Sequence, residues 1–201
     1  MTDIDIDRFL MAHLNRVKES VAQLDRKSAF AFAASCLERF ARIYDRSLEA
    51  GKHPNLDPGR FRSALDLVWD WLEKDSGVDW SSVAASYREE AANEPVKTLE
   101  TLGDSVLFLG VGVIADFLTT LQREEPEDAH FFAARNLELI ESLVDDTEEI
   151  PGGGRALFEE EMKRQLDDLQ RLEAAEIDER TLADLREESR GQDIWGGFEP
   201  A

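Results

Sequence analysis

Apolar residues recur every three or four positions along almost the whole chain, the period of helices that bury one stripe. The first stripe joins Ile6, Phe9, Leu10, Leu14, Val17, Val21 and Leu24 and predicts a helix over residues 3–24. A second helix is predicted from a Ser28 cap to a Gly51 stop, with Phe30, Ala33, Leu37, Phe40 and Tyr44 facing inward. Asp57 followed by Pro58 marks a third start, a capping oxygen and then a residue preset for the first helical position. Further helices are predicted at 79–92, 95–123, 126–149 and 155–175, the last continuing after an interruption to Glu188. No stretch alternates with a period of two over a strand's length, and no fixed-period repeat occurs. The pattern therefore predicts an all-α, multi-helix bundle of about seven helices. A single domain at 1–175 precedes an acidic extension at 176–201 with an aromatic tail.

The third helix, "FRSALDLVWDWLEK", can be read by angle. At about 100° per residue, Ala64, Leu65, Leu67, Val68, Trp69, Trp71 and Leu72 fill an arc of about 200°. A helix apolar over that much of its girth is predicted at the centre of the core. Asp66 and Asp70 fall on its narrow polar strip. Arg62 stands four residues before Asp66, and Lys74 four after Asp70, so each acid has a basic neighbour one turn away. The strip reads as a solvated face, with a polar groove as the alternative.

Composition narrows the picture. At 201 residues, 42% hydrophobic and 33% charged, the chain can bury a core without disulfide or metal staples. Cys36 is the single cysteine, so no internal disulfide can form, in keeping with a reducing cytoplasm. The opening "MTDIDID" is acidic where an export signal would be basic. The longest apolar run, "VLFLGVGVIA", has ten residues and reads as a buried helix; a membrane span needs about 20.

Charge changes the picture most. The net charge is −21, and residues 123–201 hold 24 acids against 9 bases, net −15. Such a chain is not expected to grip phosphates or anionic membranes. It would attract a basic protein, the alternative being that the acidity serves only solubility or a salty cytoplasm. The candidate partner-binding residues are Glu159, Glu160, Asp167 and Asp168 on the seventh helix, with Trp195 and Phe198 of "DIWGGFEP" as aromatic anchors, a tail docked on its own bundle or a disordered one being the alternatives.

Residue patterns that carry chemistry are few. One Glu-x-x-His spacing, Glu127 to His130, has no second copy to build a di-metal bundle site. Cys36, between Phe32 and Phe40 on the inner side of its helix, reads as a buried, inert thiol. "PGGGR" lacks the strand and the Lys-Ser/Thr of a phosphate loop and reads as a connector. Asp104, just before the apolar run, reads as a capped or arginine-paired acid, with a ligand-binding acid in a groove as the alternative. Asp66, Asp70 and Asp104 are thus the groove-acid candidates. No cofactor, metal or catalytic constellation is expected.

"SAFAFAASCLERFARIYDRS", "FRSALDLVWDWL" and "TLETLGDSVLFLGVGVIADFL" together resemble the YjaG-like proteins, a family of small bacterial all-helical proteins with no assigned activity. The resemblance covers roughly residues 24–175. It implies a helical fold and cytoplasmic residence and supplies no catalytic residues. The N-terminal helix, the "GGG" loop and the acidic tail depart from the family pattern. The sequence thus points to a non-enzymatic protein that captures a basic partner, an immunity-type inhibitor of a bacterial toxin being one concrete form. The alternative is a homodimeric structural or regulatory module, in which Gly103, Gly110 and Gly112 allow close helix approach. Third comes a groove that binds or transforms a small molecule.

Overall fold

The computed structural model describes residues 3–51, 56–57, 59–93, 101–146, 154–174 and 177–192. Among these, α1 is Asp3–Val21, α2 Arg26–Ala50, α3 Arg60–Lys74, α4 Trp80–Ala92, α5 Leu102–Arg123, α6 His130–Asp146, α7 Gly154–Ala174 and α8 Glu179–Gly191. A 3-10 turn, Pro126–Ala129, leads into α6. The described residues contain no strand.

The helix starts show where local chemistry sets the boundaries. Asp25, not Ser28, caps α2: its carboxylate accepts from the backbone N–H of Lys27 and Ser28, while the Ser28 hydroxyl donates to its other oxygen. Helix α3 starts at Arg60 rather than at Pro58, because the Asp57 carboxylate accepts from Gly59 N–H in a turn that precedes the helix. The predicted start at Pro95 lies outside the described residues. The described part of that helix opens on a reciprocal capping box between Thr101 and Asp104. The Pro126 signal starts the 3-10 turn, and α6 follows it. Asp178 caps α8 through Thr181 N–H. The predicted interruption of the seventh helix is thus a true break, and α8 is an eighth helix.

Helix α2 is the hub, a correction to the central place predicted for α3. It packs against α3, α5, α6, α7, α8 and the 3-10 turn, and all but a few of its residues from Ser28 to Ser47 are buried. The reason is legible in its composition. Alanines 29, 31, 33, 34 and 41 keep its surface low, so neighbours close on every side, while Phe30, Phe32 and Phe40 fill the gaps. At the α5 crossing, Gly110 sits so close to Tyr44 that an added Cβ would lie 2.3 Å from the ring. Helix α5 holds the long apolar run and is apolar and long enough to cross a membrane by length and composition. Val106, Leu107, Ile114, Phe117 and Leu118 are nonetheless buried in the fold, against α2 and α4.

Helix α3 lies against α2, α5 and α8. Trp69 is fully buried. Trp71 is half-buried, edge-on to Trp80 at 5.6 Å and to Phe30 at 6.0 Å. Helix α8, in the segment predicted as an extension, buries Leu182, Leu185 and Ser189 against α2 and α3. Helices α1, α6 and α7 pack together on another side of α2.

Candidate functional site

The Asp66–Asp70 strip of α3 is the docking rail for α8. Asp66 accepts from Arg186 Nη2 at 2.7 Å and from Arg190 Nη2. Arg186 also reaches Glu73 at 3.1 Å and Asp70 at 3.6 Å. The predicted Lys74–Asp70 pair forms at 3.1 Å. The predicted Arg62–Asp66 pair does not. Arg62 turns instead to α2, donating to Glu38 at 2.5 Å and to Asp45 at 2.9 Å. Burial pushes the Asp66 carboxyl up, but the hydrogen bonds from Arg190 and Arg186 outweigh it and hold the group below its ordinary value.

Glu38 anchors this side of the hub. Its side chain is fully buried and accepts from Arg62, from Trp69 Nε1 at 2.9 Å, and from Arg190 Nε and Nη2, both at 3.0 Å. Arg190 is further fixed through its own carbonyl, which accepts from Arg42 Nε at 2.7 Å. The carboxylate is therefore saturated with donors, the condition under which a buried charge is tolerated.

Arg39, the next residue, serves α7. It is fully buried and holds two acids: Glu161 at 3.0 Å from Nε, and Asp168 at 2.7 Å from Nη1. Asp168 also accepts from Ser35 Oγ at 2.8 Å. Glu161 accepts in addition from Asn136 Nδ2 at 3.1 Å and Gln165 Nε2 at 2.9 Å. These acids drive the Arg39 guanidinium above its ordinary value despite the opposing effect of burial. Burial drives the neighbouring Cys36 thiol up likewise, the signature of an inert cysteine. Gln165 continues the chain outward, since its Oε1 lies 2.8 Å from Nε2 of His13 on α1. Because Gln165 Nε2 donates to Glu161 and to the Ala133 carbonyl, its Oε1 must accept, so His13 carries its proton on Nε2.

The partner-binding candidates on α7 separate. Asp167 is exposed and makes no ion pair among the described residues. Glu159 is exposed beside Arg155 at 2.5 Å, and half-buried Glu160 pairs with Arg164 at 2.9 Å. Asp168 faces inward at 7% exposure and is committed to Arg39. Trp195 and Phe198 lie outside the described residues. Asp104 is a buried capping acid, accepting from Thr101 N–H at 2.8 Å, as the structural reading expects. The groove acids therefore do not converge: Asp66 and Asp70 serve α8, while Asp104 caps α5.

His130 Nδ1 lies 2.6 Å from the Glu127 carbonyl oxygen, within the turn that opens α6. The described residues contain no group of three or more His, Cys, Asp or Glu placed to hold a metal. Of the connector "PGGGR", residues 151–153 lie outside the described residues, and Arg155 is on α7.

The fold has a solved counterpart. A crystal structure of a DUF416 family protein from Shewanella baltica OS155 superposes with a TM-score of 0.75 at 18% identity, over 88% of this chain and 95% of that one. At that identity the likeness speaks for the fold alone, an all-helical architecture of one compact domain. No family model matches the chain, and no curated protein matches it.

Grooves open on the surface among the described residues, including two large ones. One, of about 570 Å³, runs between α1 and α7 and is lined by Phe9, His13, Arg16, Met162, Lys163 and Leu166 among others. The other, of about 530 Å³, lies beside α5 and α6, with Arg88, Asp116, Phe131 and Arg135 on its walls. Sequence reasoning missed both buried charges of α2. The available signal was position: Glu38 and Arg39 are the only charged residues between Lys27 and Arg42, inside a run of small and aromatic side chains.

Proposed function

We propose that this protein is a non-enzymatic, acidic module that captures a basic protein partner, with an immunity-type inhibitor of a bacterial toxin as one concrete form. One observation carries the reading. Every arginine of the acidic half, from Arg123 to Arg190, is already committed to an ion pair within the chain. The acidic surplus is therefore left on the surface, where exposed Asp167, Glu173, Glu179 and Glu187 make no ion pair among the described residues. Such a surface steers a cationic partner and sets its association rate. Kinship with the YjaG-like proteins and residence in the cytoplasm belong to the same proposal and fit a helical capture module.

The test is affinity capture from the native host on immobilised protein, beside an Asp167→Lys/Glu173→Lys variant. A defined basic protein held by the parent, released by salt and lost on the variant supports the reading. Retention of the same proteins by an unrelated acidic protein overturns it.

A homodimeric module is the second reading, supported by Phe108 and Phe131, 47% and 53% exposed at the edges of the α5–α6 grooves. Gly110 does not contribute to it, being committed to the α2–α5 crossing. A monomer at high concentration by light scattering overturns this reading.

A further inference from the structure

We infer that the α1–α7 groove is a binding site for a single-chain aliphatic carboxylate, its head held by Arg16, Lys163 and His13 and its tail laid on Phe9, Met162 and Leu166. The site shares Asp167 on its rim with the acidic surface invoked for a protein partner, but its ligand is argued from Arg16, Lys163, His13 and the apolar wall.

The size comes first. A concavity of about 570 Å³ falls within the range of small-ligand sites, which are mostly apolar with a few placed polar groups. Phe9 and Leu166 supply the apolar wall, and Phe9 is 46% exposed although it belongs to the inward stripe of α1. An apolar side chain left open in a groove signals an occupant more than a scattered surface residue does.

The charges come next. Arg16 and Lys163 are both exposed on this groove, and neither makes an ion pair or hydrogen bond among the described residues. In a chain with 44 acids, two unpaired cations on one groove are conspicuous. Of the two acids on the same rim, Glu159 is paired with Arg155 while Asp167 keeps its charge, so the groove carries two free cations against one free acid. The overall charge of −21 repels an anion only weakly at this range, because salt screens it within about 10 Å.

His13 makes the site a built one. It lines the groove yet is only 6% exposed. Its Nε2–H is locked onto Gln165, and Gln165 is locked in turn by Glu161 and the Ala133 carbonyl. Nδ1, with no partner among the described residues, is the atom left for a ligand. The charges that act on His13 are Glu161 of α7, which favours its protonation, and Arg16 of α1, which opposes it. Glu159, Lys163 and Asp167 of α7 share the groove, while neither α6 nor the 3-10 turn, also packed on α1, contributes a charge that moves it. Burial holds the imidazole neutral, below its ordinary value. A bound carboxylate would reverse that balance by accepting Nδ1–H from a ring that gains a proton, while Nε2–H stays on Gln165. Binding is thus linked to proton uptake and tightens as pH falls.

The experiment is calorimetric titration of the full chain with sodium decanoate below its micelle concentration, at pH 8 and pH 6. Decyltrimethylammonium and 1-decanol serve as head-group controls. The expected result is binding of decanoate alone, tighter at pH 6, and weakened about tenfold or more in Arg16→Gln/Lys163→Gln, the scale of one lost charge-assisted contact. Equal binding of the cationic amphiphile, or unchanged affinity in that variant, overturns the assignment. So does an absence of binding at both pH values. Co-sedimentation with phosphatidylglycerol vesicles without binding of free decanoate would place the groove at a bilayer and overturn it as well.

Discussion

Glu38 and Arg39 are neighbours on α2, fully buried, and turned to different partners: Glu38 to Arg62, Trp69 and Arg190, Arg39 to Glu161 and Asp168. One peptide unit of the hub thus fixes α3 and α8 on one side and α7 on the other. Charges buried this deeply contribute little net stability when paired, yet they cost several kcal/mol when one partner is lost. Their value here is geometric, since each accepts only one arrangement of the helices around it.

Removing the Arg39 guanidinium leaves Glu161 and Asp168 buried without their counter-charge. Arg39→Met should destabilise the fold by about 3–5 kcal/mol in urea unfolding. The triple change Arg39→Met/Glu161→Gln/Asp168→Asn should recover part of that loss. A triple variant no more stable than the single one would show that the charges were not the cause.

Arg190 ties α8 to both Glu38 and Asp66. Arg190→Ala should speed amide exchange across residues 179–191 well before the core opens, because α8 has few buried apolar residues besides Leu182 and Leu185. Exchange that rises uniformly through α2 and α8 together would show instead that α8 does not open as a separate unit.

Gly110 has no room for a methyl group against Tyr44. Gly110→Ala should cost about 1–3 kcal/mol despite the better helix propensity of alanine. Gly112, with open space beside it, is the control: Gly112→Ala should be neutral or stabilising.

Two groups of the same sign lower stability as pH falls, while Asp45 and Asp116, raised by burial, act in the opposite sense in acid. His13 lies below its unfolded value of 6.5 in the fold, so the unfolded chain binds the extra proton. Its contribution is complete above pH 6.5 and is lost as pH falls through the folded value. Asp66 is held below 3.8, so its contribution is complete above that pH and is lost in stronger acid. Unfolding free energy measured from pH 8 to pH 5 should fall, and His13→Gln should flatten that slope. A slope unchanged in the variant would remove His13 as its source.

Much of the fold is legible in the sequence because its signals are local. Asp79, Gly51 and the apolar stripe of α5 mark elements from side chains within a turn or two. What escapes the sequence is pairing at a distance. Arg62 stands in the right place for Asp66 but is drawn to Glu38 and Asp45, while the true partners of Asp66 lie more than a hundred residues away on α8. Asp167 and Asp168 are adjacent, yet one is exposed and the other buried, because about 100° of helical turn separates a surface position from an inward one. His13 carries no motif at all; its place beside the groove depends on α1 meeting α7.

The acids divide their labour: those of α3 hold α8 in place, while exposed Asp167 and Glu173 of α7 make no ion pair among the described residues. Urea unfolding of Asp66→Asn beside Asp167→Asn tests that division most directly, in a denaturant that adds no salt. Asp66→Asn should lower stability by about 1–3 kcal/mol, the cost of stripping charge-assisted hydrogen bonds from two arginines. Asp167→Asn should change it by less than about 0.5 kcal/mol. A harmless Asp66→Asn together with a damaging Asp167→Asn would contradict the account.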